Sequence, residues 1–242
     1  MKMKFVWRTV KFCINLFLIY TAFSVFVILF FRFIDPPVTA FIYAKSNPIW
    51  GLFSPSDVYQ KSIKIQHVSR YAPLAVIASE DQKFFDHWGF DFDQIEKAMK
   101  ENEMKKNIHK KRIRGASTIS MQLARNLFLS PGKNIVRKGM EAYYTVLLEL
   151  LWSKQRIIET YLNVAEMGKG IYGIEAASHV YYGKPSLNLN AAEAAAIIAI
   201  LPNPTERDPR KPGTYLIDRR DGILDQMNDI GGIGMLNQGI KY

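Results

Sequence analysis

The densest run of chemistry-bearing side chains is Glu80-Asp81-Gln82-Lys83-Phe84-Phe85-Asp86-His87-Trp88-Gly89-Phe90-Asp91. It follows the apolar run Ala75-Val76-Ile77-Ala78-Ser79, so two adjacent carboxylates stand at the end of a segment that seeks burial. Desolvation against an apolar wall disfavours the charged carboxylate and raises its pKa, which suits general acid or base chemistry. Glu80 is therefore a candidate base, with a raised pKa expected from its apolar approach.

A second group lies on Gly115-Ala116-Ser117-Thr118-Ile119-Ser120-Met121-Gln122-Leu123-Ala124-Arg125-Asn126. A glycine turn feeds a helix here, with Ser117 or Thr118 as its natural N-cap. Thr118, Gln122, Arg125 and Asn126 fall at i, i+4, i+7 and i+8 and share one face, beside an apolar stripe of Ile119, Leu123 and Leu127. That polar face offers donors and one fixed cation, a lining suited to an anionic or sugar ligand. An ordinary solvated helix face has the same composition.

Lys133, Arg137, Lys138 and Glu141 form a third group at the start of the next helix. Cations there oppose the helix macrodipole, which points to a task such as binding phosphate. The plainer reading of Arg137 and Glu141 is an i, i+4 surface salt bridge. Glu141 also leads into the apolar run Tyr143–Leu151, so it is expected to be partly buried.

Periodicity supplies the scaffold for these groups. Helices are predicted over 69–79, 91–103, 117–129, 134–152, 154–165, 171–181, 190–201 and 214–228. Breakers stand at Pro131-Gly132, Gly168, Gly170, Gly183, Pro185 and Pro202-Asn203-Pro204. Alternating strand patterns are scarce, so the fold class is all-α. Met104–Arg114 is a basic patch expected to form a mobile loop, either simply solvated or facing lipid.

Residues 12–33 read as a transmembrane anchor, since Phe12 to Phe31 is uncharged over about twenty residues. Lys2, Lys4, Arg8 and Lys11 in the basic tail 1–11 put the N-terminus in the cytoplasm and the remainder outside. A cleaved signal peptide is the alternative. Against it, the apolar run exceeds a normal signal core, and Val38-Thr39-Ala40 is a poor cleavage site. Residues 34–67, with Pro36, Pro37, Pro48 and Pro55, form a connector that hugs the membrane or the domain, and 68–242 form the exported domain.

The chain of 242 residues carries a formal charge of +10. Setting aside Lys2, Lys4, Arg8, Lys11 and Arg32 leaves 27 basic against 22 acidic residues, a net +5. A moderately basic exported domain suits anionic headgroups or a phosphorylated substrate, and its location outside argues against nucleic acid. The single cysteine, Cys13, lies in the anchor, so the exported domain has no disulfide and relies on its core.

Taken together, the three groups resemble the glycosyltransferase module that polymerises peptidoglycan. More narrowly, they resemble the monofunctional biosynthetic peptidoglycan transglycosylases, with one anchor and one catalytic domain. The motif EDxxFxxHxG matches Glu80, Asp81, Phe84, His87 and Gly89. The motif GxSTxxQQxxKN matches Gly115, Ser117, Thr118, Gln122 and Asn126, and RKxxE matches Arg137, Lys138 and Glu141. Further matches run through Arg156–Asn163, Gly170–Ala177, Tyr182-Gly183-Lys184 and Leu201–Pro204. Arg125 stands where the family usually has Lys, Lys133 where it usually has Arg, and Met121 replaces a usual Gln. The exchange of Arg125 and Lys133 keeps the charge but alters its geometry. With the chain ending at Tyr242, the monofunctional type is expected over one carrying a transpeptidase domain.

The resemblance implies a lysozyme-like all-α fold with a cleft close to the membrane. It implies lipid II as acceptor and a lipid-linked glycan strand as donor, joined β-1,4 with inversion and release of undecaprenyl pyrophosphate. Glu80 becomes the general base. Arg125, Lys133, Arg137 and Lys138 become the cations that receive the pyrophosphate charge. Glu141 is a second catalytic candidate that orients these cations, contacts the donor or helps hold a divalent metal such as Mg or Mn; no cofactor is required. Thr118, Gln122 and Asn126 would bind sugar or phosphate oxygens. Asp81, Phe84 and His87 support the motif, most simply by holding the loop that presents Glu80. Membrane lipids, and cell-wall synthesis or division proteins, are the expected partners. The competing readings are a peptidoglycan hydrolase with the same lone Glu, and a scaffold with a degenerate site.

Overall fold

The computed structural model describes residues 2–46, 58–107, 115–132 and 134–242. Lys133, most of the basic patch and the middle of the connector lie outside the described residues. The elements run α1 (Lys2–Phe33), α2 (Ala40–Ser46), β1 (Tyr59–Gln60), α3 (Tyr71–Glu80), α4 (Phe92–Asn107) and α5 (Ile119–Phe128). They continue with α6 (Ile135–Leu151), α7 (Lys154–Val164), β2 (Glu166–Gly168), β3 (Ile171–Tyr172), α8 (Ile174–Tyr182), α9 (Ala191–Ala199) and α10 (Thr214–Asp229). A 3₁₀ segment, Gly232–Gln238, closes the described chain.

The eight predicted helices are all present, with ends displaced by a few residues. The largest displacements have physical causes. The helix predicted over 171–181 begins at Ile174, because Gly173 has φ +86° and its α-carbon faces the Asn163 backbone. A Cβ there would stand 2.7 Å from the Asn163 carbonyl oxygen, so only glycine fits and the helix starts beyond it. Ile171–Tyr172 instead joins a three-stranded sheet of order β1-β3-β2, parallel to β1 and antiparallel to β2. Strands of two or three residues are too short to show alternation in the sequence. The connector expected over 34–67 contributes both α2 and β1 to the folded unit. Helix α4 extends through Asn107, so the first residues of the basic patch are helical and not loop.

Helix α3 sits at the centre. Every residue from Ala72 to Ala78 is buried, as expected of a helix that is apolar all round. It packs on α9, α10 and α7, while α5 packs on α6 and α7. Side-chain caps fix the starts of the surrounding helices: Thr118 for α5, Asn134 for α6, Ser153 for α7 and an Asn190/Glu193 capping box for α9.

Helix α1 is the one described helix long and apolar enough to cross a membrane. Its C-terminal end docks on the domain. The Trp152 indole N–H donates to the Ile28 carbonyl at 2.8 Å, and the Tyr20 and Tyr144 hydroxyls are 2.6 Å apart. Arg156 donates through Nη2 to the carbonyls of Phe31 (2.7 Å) and Ile34 (3.0 Å). Its Nη1 meets the carboxylates of Asp35 and Glu159, both at 2.6 Å. The last carbonyls of a helix lack partners within it, and this buried guanidinium supplies them.

The loop after α3 is pinned from α6 and α7. Lys154 Nζ donates to the His87 carbonyl at 2.6 Å and to buried Glu149 at 2.8 Å. Gly89 crosses this point at φ +81°, and a Cβ there would fall 2.6 Å from Thr145 Cγ2 and 3.0 Å from Glu149 Cγ. Gly89→Ala combines a left-handed backbone with an overpacked contact, so it should cost about 2–4 kcal/mol. Its thermal unfolding midpoint in detergent should fall well below that of the parent chain; an unchanged midpoint would show that the loop is not fixed there.

Candidate active site

A cleft of about 820 Å³ opens between the end of α3, the polar face of α5, Tyr161 of α7, β2, the Leu201–Pro204 turn and α10. Phe41 of α2 lines it as well. Glu80, the last residue of α3, reaches into this space with its side chain 17% exposed.

The surroundings of Glu80 differ from the apolar wall expected of it. The backbone approach is buried, but the carboxylate itself is met by donors. Ser79 Oγ donates to Oε1 at 3.1 Å, and Gln122 Nε2 donates to Oε2 at 2.9 Å. Arg219, from α10, brings Nη2 to 3.4 Å from Oε1 and donates to Ser79 Oγ at 3.1 Å. Tyr161 OH donates to Gln122 Oε1 at 3.0 Å. This chain sets the Gln122 amide, since a phenol must give its proton to the carbonyl and leave the NH₂ for the carboxylate. Burial, then the negative charge of Glu80, pushes the Tyr161 phenol well above its ordinary range, and the opposing effect of Arg125 is smaller. Tyr161 therefore stays a neutral donor at physiological pH.

Asp81 points elsewhere. Its Oδ2 accepts from the Ile119 backbone N–H at 3.0 Å, and its Oδ1 meets His87 Nε2 at 2.8 Å. The Ile119 N–H is one of the unpaired donors at the start of α5, where a carboxylate is favoured. Phe84 is fully buried, with Lys154 Nζ 4.6 Å from its ring centre. Asp81, Phe84 and His87 thus tie the loop to the helix it faces.

Along α5, Thr118, Gln122, Arg125 and Asn126 all line the cleft, as their spacing implies. Thr118 is committed on both sides: its hydroxyl donates to the Gly89 carbonyl at 2.6 Å and accepts from Met121 N–H at 3.2 Å. Arg125 forms no ion pair among the described residues, and its buried Nε has no partner.

The third group is placed apart. Lys133 lies outside the described residues, and neither Arg137, Lys138 nor Glu141 lines the cleft that holds Glu80. Glu141 is 2% exposed, with Lys138 Nζ at 2.6 Å and Arg137 Nη1 at 3.8 Å. The plain surface bridge becomes a buried carboxylate under two cations, which its burial requires. Among the described residues, no three His, Cys, Asp or Glu side chains converge as metal ligands. Glu141 already spends its oxygens on Lys138 and Arg137.

Arg219 is the residue that sequence reasoning missed, and its signal was available. It lies on the same stripe of α10 as Leu216, Ile223 and Met227, which are buried. An arginine spaced like a core residue is out of place unless something meets it. Phe41 gave no such signal, because only the path of the connector brings it to the cleft.

A helical domain docked on an apolar anchor, with one donor-ringed glutamate and an unpaired arginine in its main cleft, has the site of an enzyme that handles sugar or phosphate groups. Comparison with known proteins narrows this. A family profile described as Transglycosylase matches residues 48–228, and the chain belongs to that family. Its fold is the all-α, lysozyme-like one. Among curated relatives, the biosynthetic peptidoglycan transglycosylase of Pectobacterium carotovorum is 44% identical, covering 86% of this chain and 84% of the relative. Proteins of the same description from Xanthomonas oryzae and Pseudomonas putida are 43% and 41% identical, covering 89% and 90% of this chain and 86% and 91% of those relatives.

Tyr161→Phe removes the hydroxyl that sets the Gln122 amide and little else. One such hydrogen bond is worth about 1 kcal/mol, so glycosyl transfer should fall roughly fivefold, at about 1.4 kcal/mol per decade, with the fold retained. Steady-state kinetics with circular dichroism checks this, and an unchanged rate would show that the amide needs no setting.

Proposed function

We propose that this transglycosylase polymerises lipid II into β-1,4-linked glycan strands, releasing undecaprenyl pyrophosphate from the growing strand. The observation that carries the reading is the placement of Glu80 and the unpaired Arg125 in one cleft, one group to take a proton and one to receive negative charge. In this reaction the acceptor hydroxyl passes its proton to Glu80. Its oxygen attacks the donor anomeric carbon from the face opposite the leaving group. The bond from that carbon to the pyrophosphate oxygen breaks, and its electron pair departs on the pyrophosphate. Cations facing a partly enclosed cleft stabilise that developing charge.

Arg125 supplies a cation in the same cleft as Glu80, and Arg137, Lys138 and Lys133 are the further cations for the pyrophosphate. Glu141 serves as the buried counter-ion that holds Lys138 and Arg137 in place. A divalent ion such as Mg or Mn would share the pyrophosphate charge where bound. Asn126 is left as the polar contact for sugar or phosphate oxygens, since Thr118 is occupied as a cap and Gln122 is held between Tyr161 and Glu80.

Residues 12–33 would hold the chain in the bacterial cytoplasmic membrane as a single-pass anchor, with 1–11 cytoplasmic and 34–242 on the outer face. The basic tail ahead of α1 supports that orientation. There the domain would meet membrane lipids and other cell-wall synthesis or division proteins. The docking of α1 on α6 and α7 supports a cleft held close to the bilayer.

A hydrolase would instead protonate a sugar leaving group, which calls for no cluster of cations. Purified full-length protein should build polymer from lipid II and leave finished glycan uncut, as read by electrophoresis of labelled product. Fragments from glycan without polymer from lipid II would establish the hydrolase. Lipid II binding without turnover would establish a scaffold.

A further inference from the structure

Each oxygen of Glu80 is met by a side chain that a second residue orients from another helix. On Oε2 the pair is Gln122 with Tyr161 behind it. On Oε1 it is Ser79 with Arg219 behind it. A serine hydroxyl has one hydrogen, and an arginine N–H can only donate. Arg219 Nη2 donates to Ser79 Oγ at 3.1 Å, which leaves the hydroxyl hydrogen for Oε1, also at 3.1 Å. The same Nη2 stands 3.4 Å from Oε1, so one nitrogen bridges the hydroxyl and the carboxylate.

The arginine is held from its own side as well. Helix α10 packs on α3, and Leu216, Ile223 and Met227 bury the stripe on which Arg219 lies. Its Nε is buried without a partner, a cost that the contacts of Nη2 must offset. The carboxylate needs such a hold. A glutamate side chain left alone exchanges among staggered rotamers. Misplacing a reacting group by about 1 Å can cost roughly 10²-fold in rate.

The two arginines of the cleft divide here. Nη2 of Arg219 is committed to Ser79 and Glu80, whereas Arg125 forms no ion pair among the described residues. We propose that Arg219 is a positioning residue for Glu80: it sets the Ser79 hydroxyl and, with it, holds the carboxylate in the orientation in which it takes the proton. Arg125 is the cleft arginine left for the charge of the leaving group. This rests on the proposed role of Glu80 as base.

A residue that acts through Glu80 has nothing to act through once the base is gone. A double-mutant cycle measures that dependence. A residue that touches the substrate, or that only supports the fold, keeps its effect whether or not the base is present. The cycle therefore separates positioning from both alternatives.

The test uses full-length protein in detergent and purified labelled lipid II. Rapid mixing gives lipid II binding and the rate of one transfer for the parent, Arg219→Gln, Glu80→Gln and the double variant. In the parent background Arg219→Gln should slow transfer roughly tenfold, less than full misplacement would because the contact is long and part-exposed. Lipid II binding should stay within about threefold, since the lost interaction is with the base and not the substrate. In the Glu80→Gln background, whose amide has no basicity to position, the same substitution should change transfer by less than about twofold. An equal loss in both backgrounds would mean that Arg219 serves the substrate or the fold. An unchanged rate in the parent background would mean that Glu80 needs no such hold, and a loss confined to lipid II binding would make Arg219 a substrate contact. Each of these overturns the proposal. Should Arg219→Gln not fold, Ser79→Ala removes the bridging hydroxyl instead. Transfer should then slow about threefold in the parent background alone, the worth of one neutral hydrogen bond. An equal loss in both backgrounds, or none in either, overturns the proposal. A parent that makes no polymer, or Glu80→Gln transferring at the parent rate, counts against the proposed function itself, which separates the two ideas.

Discussion

A charged carboxylate ends a helix that is buried on every side, and the rest of the site answers that one constraint. Helix α3 can be wholly apolar because it fills the centre of the domain. Its last residue must then emerge where water is scarce and be met by donors, or its burial would be costly. Ser79 comes from the same helix, Gln122 from α5 with Tyr161 of α7 behind it, and Arg219 from α10. Three helices distant in sequence are brought to one oxygen pair because α3 packs or abuts against each of them. The core and the site are therefore one construction: helices that shield α3 also present the donors.

The same logic reaches outward. Asp81 turns away from the cleft to serve the start of α5, and Lys154 holds the following loop to Glu149. Arg156, two residues further along α7, caps the end of the N-terminal apolar helix and meets Asp35 and Glu159. From there the chain passes into α2, whose Phe41 lines the cleft. The anchor is thus not a tether on a loose string. It is packed into the unit that carries the glutamate.

Much of this was legible in the sequence because helices announce themselves by period and caps. The polar face of α5 was readable from spacing alone, and it faces the cleft. The small sheet was not, since Ile171 and Tyr172 show no alternation and are set apart by Gly173, whose constraint comes from the distant Asn163 backbone. The environment of Glu80 was misjudged for a related reason. Local sequence shows the apolar residues before it, whereas its donors arrive from 42 and 139 positions away. The buried setting of Glu141 under Lys138 and Arg137 was half visible, as an i, i+4 pair leading into an apolar run, but its separation from the main cleft was not.

The central claim is that Glu80 takes the proton and is not merely a structural carboxylate. Substituting glutamine keeps the size and hydrogen-bonding reach of the side chain while removing its basicity. Rapid mixing of full-length Glu80→Gln with labelled lipid II, followed through one transfer, separates binding from chemistry. Lipid II binding is expected within about threefold of the parent, with a transfer step slower by roughly 10²–10⁴-fold, the usual worth of a positioned base. A transfer step near the parent rate would contradict it.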